Sequence, residues 1–154
     1  INMATTATIT LASDIMPTYG GYSKTMTLTQ GGNALDVDAT TGLQRRKLAA
    51  TTAVDLITMA SLLVETEDGA AAGSGAAKLY VKNIGDGKGT IDKSVYVSVS
   101  LGTVSGTIQE ISRLYGGDWM FIPVTGIDAT SDVVVTPLTN DTVVLEYALY
   151  YQED

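Results

Sequence analysis

Cysteine and histidine are both absent from the 154-residue sequence. Without cysteine the chain has neither a disulfide scaffold nor a thiol nucleophile. Without histidine it lacks the side chain that most often moves protons near neutral pH and most often binds transition metals. A domain of this length buries enough surface to fold without such cross-links. The two absences therefore predict a non-enzymatic protein that needs no cofactor.

Positive charge is also scarce, with 9 Lys and Arg against 17 Asp and Glu and a formal net charge of −8. Such a surface repels nucleic-acid phosphates and anionic lipid headgroups, so neither nucleic acid nor a membrane is expected as a partner. The longest apolar stretch, residues 53–64, is too short to span a bilayer. Charged residues form only 17% of the chain, which suits a protein packed against neighbours, although a compact sandwich has the same composition.

Alternation of apolar and polar residues dominates the chain and predicts half-buried β-strands. It is clearest in residues 6–11, 24–29, 78–82, 95–101 and 143–151. Residues 119–124 and 133–135 are apolar on both faces, which is typical of covered central strands, and Pro123 and Pro137 are expected to end them. Turn signals separate these segments. About eight strands at this spacing predict an all-β fold, a single-domain antiparallel β-sandwich or jelly roll.

The organisation of the chain leaves three segments open. Residues 52–64 fit either one short helix or a strand. Residues 107–114 fit one helical turn or a bulged strand, and we favour the strand. Residues 1–22 are interpreted as an N-terminal arm or first strand, and residues 23–154 as the β-sandwich domain. Residues 65–77 are rich in Gly and Ala and are predicted to form a low-complexity loop.

Motifs for catalysis or nucleotide binding are weak. Residues 85–90 contain a Gly-Lys pair but lack the first glycine of a P-loop, and a hairpin loop is the better interpretation. Paired carboxylates remain as glycosidase candidates, namely Glu65 with Glu67 or Glu110 with Glu146. For each of them we favour a carboxylate bonded to the backbone or to an arginine. Calcium has candidate ligands at Asp36 and Asp38 and in residues 128–132, without the spacing of an EF-hand, and no metal is predicted.

Candidate interface residues come from two places. Arg45, Arg46 and Lys47 form the one basic cluster, in which Arg45 and Lys47 share a strand face and Arg46 takes the other. The cluster is either a contact to an acidic neighbour or a charged edge strand that resists aggregation. Tyr19 and Tyr22 lie in a Gly-rich segment, where tyrosines serve as interface anchors or pack beneath the loop.

The second half of the chain resembles small β-sandwich structural proteins of tailed bacteriophages, including those of cyanophages. The resemblance is carried by four features in order: Lys82-Asn83 at a strand end, Gly117-Asp118, the strand Phe121-Ile122-Pro123, and a last strand containing Glu146-Tyr147-Ala148. It covers residues 76–154 and transfers no catalytic residue, because that family has none.

The resemblance implies a virion structural protein, in first place a capsid decoration (cement) protein on the particle surface after synthesis in the host cytoplasm. Its partners would be the major capsid protein or other virion proteins, and it would form homo-oligomers, with a trimer as one option. A neck, tail or fibre component is the alternative within this class. A carbohydrate- or host-binding module is the other alternative, with Tyr19, Tyr22 and Trp119 as its aromatic platform.

Overall fold

The computed structural model describes residues 6–13, 22–29, 39–59, 77–124 and 132–151. The chain divides into two units, Ile1–Asp36 and Val37–Asp154. In the first unit, β1 (Thr6–Ser13) pairs antiparallel with β2 (Tyr22–Thr29), and the opposed hydroxyls of Thr10 and Thr25 are 3.1 Å apart. Because β2 begins at Tyr22, the predicted division between residues 22 and 23 falls inside this hairpin. The assignment of an arm and a domain stays a prediction.

The second unit is built from antiparallel strands in two sheets. One sheet has the order β5-β10-β7-β8, and the other has the order β4-β11-β6-β9, with the short β3 beside β11 next to β4. The strands are β3 (Ala39–Thr40), β4 (Gln44–Leu48), β5 (Val54–Ile57), β6 (Ala77–Asn83), β7 (Tyr96–Gly102), β8 (Ile108–Tyr115), β9 (Trp119–Val124), β10 (Asp132–Pro137) and β11 (Val143–Tyr151).

The pairings of these strands are nested along the chain. β4 pairs with β11, β5 with β10, β6 with β9, and β7 with β8. This is the pattern of one long hairpin that is rolled up, so that successive strand pairs lie alternately in the two sheets. The pairing of β6 with β11 completes one sheet, and the pairing of β7 with β10 completes the other. A four-stranded sheet and a sheet of four long strands with the short β3, connected in this way, form a jelly roll. The prediction of an all-β antiparallel sandwich is confirmed.

The core lies between the inner faces of the two sheets. Every second side chain of the central strands is fully buried there, and eight of them have no exposed surface: Leu79, Val81, Val97, Val99, Val133, Val135, Leu145 and Leu149. Burial of each such side chain stabilises the fold by about 1.5–3 kcal/mol relative to exposure. The same alternation turns the intervening residues to the outer faces, where most are partly exposed, although Val134 and Ala148 are as buried there as the core residues.

Residues 119–124 are not the central strand that the sequence predicted. They form β9, an edge strand that pairs only with β6 among the described strands. The apolar residues of its second face lie at the surface, since Trp119 is 53% exposed. Pro123 lies within β9 and does not end it, because a prolyl nitrogen needs no ladder partner at an edge. Residues 133–135 do belong to a central strand, β10, which ends at Pro137.

The first of the two other open segments is a strand only at the centre of its described part, since residues 52, 53, 58 and 59 are described and lie outside any strand. Val54–Ile57 forms β5, and residues 60–64 of the ambiguous stretch lie outside the described residues. Residues 107–114 contain most of β8, whose register with β7 shifts between Val99 and Ser100. The preference for a bulged strand is therefore confirmed.

The first two motifs of the resemblance, Lys82-Asn83 and Gly117-Asp118, meet at one corner of the sandwich. Asn83 at the end of β6 is 1% exposed. Its Nδ2 donates to the Leu114 carbonyl of the other sheet at 3.0 Å, and its Oδ1 accepts from the Gly85 amide at 3.0 Å. The Asn83 amide donates to the Asp118 carbonyl at 2.9 Å, and the Gly117 amide donates to the Asn83 carbonyl at 2.9 Å. These residues therefore join the two sheets and serve the fold.

Candidate interaction surfaces

The outer face of the β4-β11-β6-β9 sheet collects cations. Four of the nine Lys and Arg residues lie on it, Arg45 and Lys47 on β4 and Lys78 and Lys82 on β6. We call this surface the basic face. One row of directly opposed residues crosses all four strands in the order Arg45, Glu146, Lys82, Trp119. Directly opposed residues share a face of a sheet, so these four side chains lie side by side.

Glu146 is the one carboxylate on the described strand positions of the basic face. It is half-buried, with 14% of its side chain exposed. Its Oε2 accepts hydrogen bonds from Nε and Nη2 of Arg45 at 3.0 and 2.9 Å, and its Oε1 accepts one from the Tyr80 hydroxyl at 3.2 Å. The expectation that this carboxylate is bonded to an arginine is confirmed.

The proposed carboxylate pair is not assembled by the fold. Glu110 lies on β8 in the other sheet, where its carboxylate accepts hydrogen bonds from Ser98 Oγ at 2.6 Å and Arg113 Nε at 2.7 Å. Glu146 lies on β11. Because the two sheets point these side chains outward on opposite sides, Glu110 and Glu146 cannot act together on one bond. Glu65 and Glu67 lie outside the described residues.

Aromatic rings cover the part of the basic face next to its edge. The rings of Phe121 and Tyr150 meet edge to face, with centroids 6.3 Å apart. Tyr80 lies between Phe121 and Ala148 in register. Burial, and then the charge and hydrogen bond of Glu146, raise the pKa of Tyr80 above its ordinary value. Trp119 is the most exposed of these rings. The face thus offers flat apolar contact area beside positive charge.

A shallow depression of about 470 Å³ opens at one end of the basic face. Arg45 and Lys47 line one side of it, and Lys88 lines the other from the β6–β7 loop. Asp86 also lines it, and its Oδ1 accepts hydrogen bonds from the backbone amides of Lys88 and Thr90 at 2.7 and 3.0 Å. In the part of the chain that the structure describes, Lys47 and Lys88 form no ion pair with a carboxylate.

Arg46 faces away from the basic face, as the alternation predicted. It is half-buried at the edge of the sandwich, and its Nη1 donates a hydrogen bond to the backbone carbonyl of Asp55 on β5 in the other sheet. Arg46 therefore connects the two sheets. Only Arg45 and Lys47 of the predicted cluster remain for a partner.

The other predicted sites are resolved in part. Tyr19 lies outside the described residues, and only the backbone of Tyr22 is described, at the start of β2. Residues 85–90 do not form a hairpin between paired strands, because β6 and β7 lie in different sheets. Asp36, Asp38 and Asp128 lie outside the described residues. Asp132 is buried, and its Oδ1 accepts a hydrogen bond from the Met59 amide at 2.7 Å.

No three carboxylates within the described ranges group closely enough to hold a metal ion. In the same ranges no helix is long and apolar enough to cross a bilayer. No protein-family model matches the sequence, and no curated protein or solved structure matches it either. The molecule's own surfaces are therefore the basis for any assignment of function.

Sequence reasoning identified half of the basic face. Arg45 and Lys47 stood out because they are adjacent to a third basic residue. Lys78 and Lys82 were recognised only as polar positions of an alternating strand. The sequence did show that β4 and β6 each carry two cations at alternate positions, and therefore on one face of the strand. These cations can be recognised as one surface only once both strands are known to pair with β11.

Proposed function

We propose that this protein is a non-enzymatic structural subunit that docks through its basic face onto an acidic surface of a neighbouring protein. In its biological setting we assign it to a tailed-phage particle, as a capsid decoration (cement) protein. The observation that carries the docking proposal is the concentration of positive charge on one sheet face of a chain whose formal net charge is −8.

Charge complementarity identifies the kind of partner. With 17 acidic residues in the chain, two molecules approach each other or another acidic protein against net repulsion. A localised positive patch reverses this repulsion in one orientation only, which selects the docking geometry and speeds encounter. Trp119, exposed at the rim of the patch, supplies the kind of aromatic anchor that dominates interface energies.

The state of the carboxylates supports a structural role. Glu110 and Glu146 are each held by an arginine and a hydroxyl group. The pKa of Glu110 is lowered, first by the Ser98 hydroxyl and then by Arg113, whereas a general acid needs a raised pKa. Neither residue is arranged for proton transfer.

Placement in a phage particle rests on the resemblance of residues 76–154. The jelly roll is compatible with it, because viral capsid proteins use this architecture, but lectins and cupins use it as well. The fold alone therefore does not choose among them.

Binding to purified particles that lack the protein tests the proposal. Saturable binding of the labelled wild-type chain is expected, with affinity that falls as salt is added. The double variant Lys47→Glu/Lys82→Glu should bind at least about tenfold more weakly, a loss of about 1.4 kcal/mol. Lys93→Glu is the control for a charge reversal elsewhere, because Lys93 is exposed and lies outside both the strands of the basic face and the lining of the depression.

The outcomes separate the two halves of the proposal. Binding of the double variant with wild-type affinity would remove the basic face as the docking surface. Absence of wild-type binding to any such particle would remove the virion role. Circular dichroism and the urea midpoint of each variant show whether a loss of binding reflects a loss of fold.

A carbohydrate-binding module is a second candidate, and Trp119 is the observation that favours it. Its ring is 53% exposed on a sheet face that also carries Phe121 and Tyr80, and exposed flat rings are suited to stacking on sugars. A glycan array probed with wild type and Trp119→Ala distinguishes the candidates. Signals that disappear in Trp119→Ala favour the module, whereas an array without signals leaves the protein-docking proposal in place.

A further inference from the structure

The sandwich has four edges, and three of them carry features that prevent pairing with another strand. β4 has three consecutive cations, β9 contains Pro123, and β5 has only four residues, one of which is Asp55. Charged side chains, a proline and a short strand are the usual features that keep a sheet edge from pairing with another strand. β8 is less protected, since it has eight residues and neither lysine nor proline. Its two charges, Glu110 and Arg113, pair with each other, and its one irregularity is the register shift against β7. In the described part of the chain, β7 is its one strand partner.

β8 also exposes apolar side chains. Ile108 is 40% exposed, Ile111 is 38% exposed and Tyr115 is 41% exposed. Leu114 on the same strand is 3% exposed and belongs to the core. An edge that is long, free of lysine and lined in part by exposed apolar side chains is a template for an added strand.

The polar residues of β8 are held in fixed positions by β7. Arg113 lies 5.0 Å above the ring of Tyr96, and Tyr96 meets Tyr115 edge to face at 5.3 Å between centroids. Glu110 accepts hydrogen bonds from Ser98 and Arg113. These contacts place Glu110, Arg113 and Tyr115 on the outer face of the sheet, ordered before any partner arrives.

The register shift in β8 gives this face its symmetry. Glu110 and Arg113 are three positions apart, so in a regular strand they would point to opposite faces. The shift between Val99 and Ser100 sets Arg113 opposite Ser98 and Glu110 opposite Ser100, which puts both on the outer face. The outer face of β8 therefore reads Ile108, Glu110, Arg113, Tyr115, with opposite charges in the middle and apolar groups at both ends.

This order is self-complementary. If two β8 strands pair antiparallel about a two-fold axis between Ile111 and Ser112, Glu110 of each copy faces Arg113 of the other. In the same register Ile108 of each copy faces Tyr115 of the other. Opposite charges and aromatic–β-branched pairs are the favourable cross-strand combinations.

We propose that β8 is a homodimer interface, in which a second copy of this chain pairs antiparallel with β8 and joins the two β5-β10-β7-β8 sheets into one. The contact is isologous and closes at two copies, so it does not propagate into fibres. The β8 interface lies in a different sheet from the basic face. The dimer proposal therefore does not depend on the proposed function.

Sedimentation with a charge swap tests the proposed interface. Wild type is expected to shift from monomer to dimer within a concentration series that reaches about 1 mM, the weak end of specific association. Arg113→Glu sets glutamates against each other at two places and should raise the dimer dissociation constant at least about tenfold. The swap Glu110→Arg/Arg113→Glu restores both pairs and should recover dimerisation, which a merely destabilised fold would not do. Lys93→Glu is the unaffected control.

Cysteine cross-linking tests the register of the proposed β8–β8 pairing. Because the chain contains no cysteine, only the introduced residues can form a disulfide. A mixture of Ile108→Cys and Tyr115→Cys chains should form a disulfide heterodimer under mild oxidation, because opposed residues have the Cα separation that a disulfide needs. Either variant alone should give little cross-linking. Residues 108 and 115 of one chain are roughly 23 Å apart along the strand and cannot pair with each other.

The proposal is overturned by a wild-type chain that stays monomeric throughout the series, or by an oligomer in which the mixed cysteine variants do not cross-link. Particle binding of Lys47→Glu/Lys82→Glu with wild-type affinity would remove the basic-face proposal and leave the β8 proposal untouched. A wild-type chain that binds particles but stays monomeric would remove the β8 proposal and leave the basic-face proposal untouched. The two proposals can therefore fail separately.

Discussion

The inner and outer faces of the sandwich follow different rules, and β6 shows both. Leu79 and Val81 point inward and have no exposed surface. Lys78, Tyr80 and Lys82 point outward from the same seven residues. The inner residues resemble those of β7 and β10, which are mainly valine and leucine, whereas the inner face of β11 adds the buried Tyr147 and Tyr151 to its aliphatic residues. The outer residues differ from strand to strand and from sheet to sheet.

This difference separates what folds the chain from what it presents to partners. Any inner face of branched aliphatic residues would hold the two sheets together. The outer face of one sheet is cationic and aromatic, and the outer face of the other carries a balanced Glu110–Arg113 pair beside exposed apolar groups. Since neither pattern is needed for the core, both are available for binding.

The largest expected effect comes from a change on the inner face. Leu79→Ala should lower the free energy of unfolding by about 2–5 kcal/mol, because it leaves a cavity where no surface was exposed. Urea denaturation at low protein concentration measures it. Leu138→Ala is the matched control, because Leu138 is 45% exposed and its truncation should change stability by about 0.5 kcal/mol or less. Equal losses in the two variants would contradict the distinction between faces.

A smaller loss is expected at the corner where the two sheets are joined. Asn83→Ala leaves the Leu114 carbonyl and the Gly85 amide without their buried partners and should lower stability by about 1–3 kcal/mol. Asn140→Ala is the control, since Asn140 is exposed and accepts one hydrogen bond from the Thr51 amide at 3.2 Å. A cost for Asn83→Ala no greater than that for Asn140→Ala would show that the corner is not a connection between sheets.

At alkaline pH the outer basic face should affect stability through Tyr80. Burial and Glu146 raise the pKa of Tyr80 in the folded chain. Above about pH 10 an unfolded tyrosine loses its proton first, so stability is complete below that pH and falls as pH rises through the folded pKa. Tyr80→Phe should remove the part of the alkaline loss of stability that comes from Tyr80. Glu146→Gln should reduce it only in part, because burial remains. An unchanged alkaline slope in Tyr80→Phe would contradict the assignment.

The smallest effect is expected at acid pH on the other outer face. The Ser98 hydroxyl and Arg113 lower the pKa of Glu110 below the ordinary 4.5. The stability that this carboxylate contributes is therefore present above that value and is lost as pH falls through the lowered pKa. Glu110→Gln should flatten the acid limb of a stability–pH curve slightly, because the pair is exposed and screened. A steeper acid limb in Glu110→Gln would reverse the sign of this assignment.

Prediction from sequence succeeded where local alternation was enough and failed where neighbours mattered. The strands of residues 78–82, 95–101 and 143–151 were recognisable because each buries one face. The prediction for residues 119–124 was wrong because a segment that is apolar on both faces resembles a central strand. In the structure these residues form an edge strand, and Trp119 and Phe121 lie on its outer face. Residues 85–90 were taken for a hairpin loop, because turn chemistry is the same whether a loop joins neighbours in one sheet or crosses between two.

The candidate surfaces were predicted less completely for the same reason. In the described strands from β4 to β11, β7 and β8 are the one pair of consecutive strands that lie side by side. Every other contact joins segments far apart in sequence. The basic residues near position 45 could be seen as a cluster, but their partner Glu146 is 101 positions away.

The order of residue types is enough to predict an all-β chain in which most strands have one apolar and one polar face, and the chain contains no thiol or imidazole group. These properties follow from side-chain type and a period of two, which need no knowledge of neighbours. The tertiary structure alone decided that Arg45, Glu146, Lys82 and Trp119 form one row, and that a register shift turns Glu110 and Arg113 to the same face. The nested pairing of the jelly roll decides the first, because it sets which distant strands become adjacent, and the register between the consecutive strands β7 and β8 decides the second.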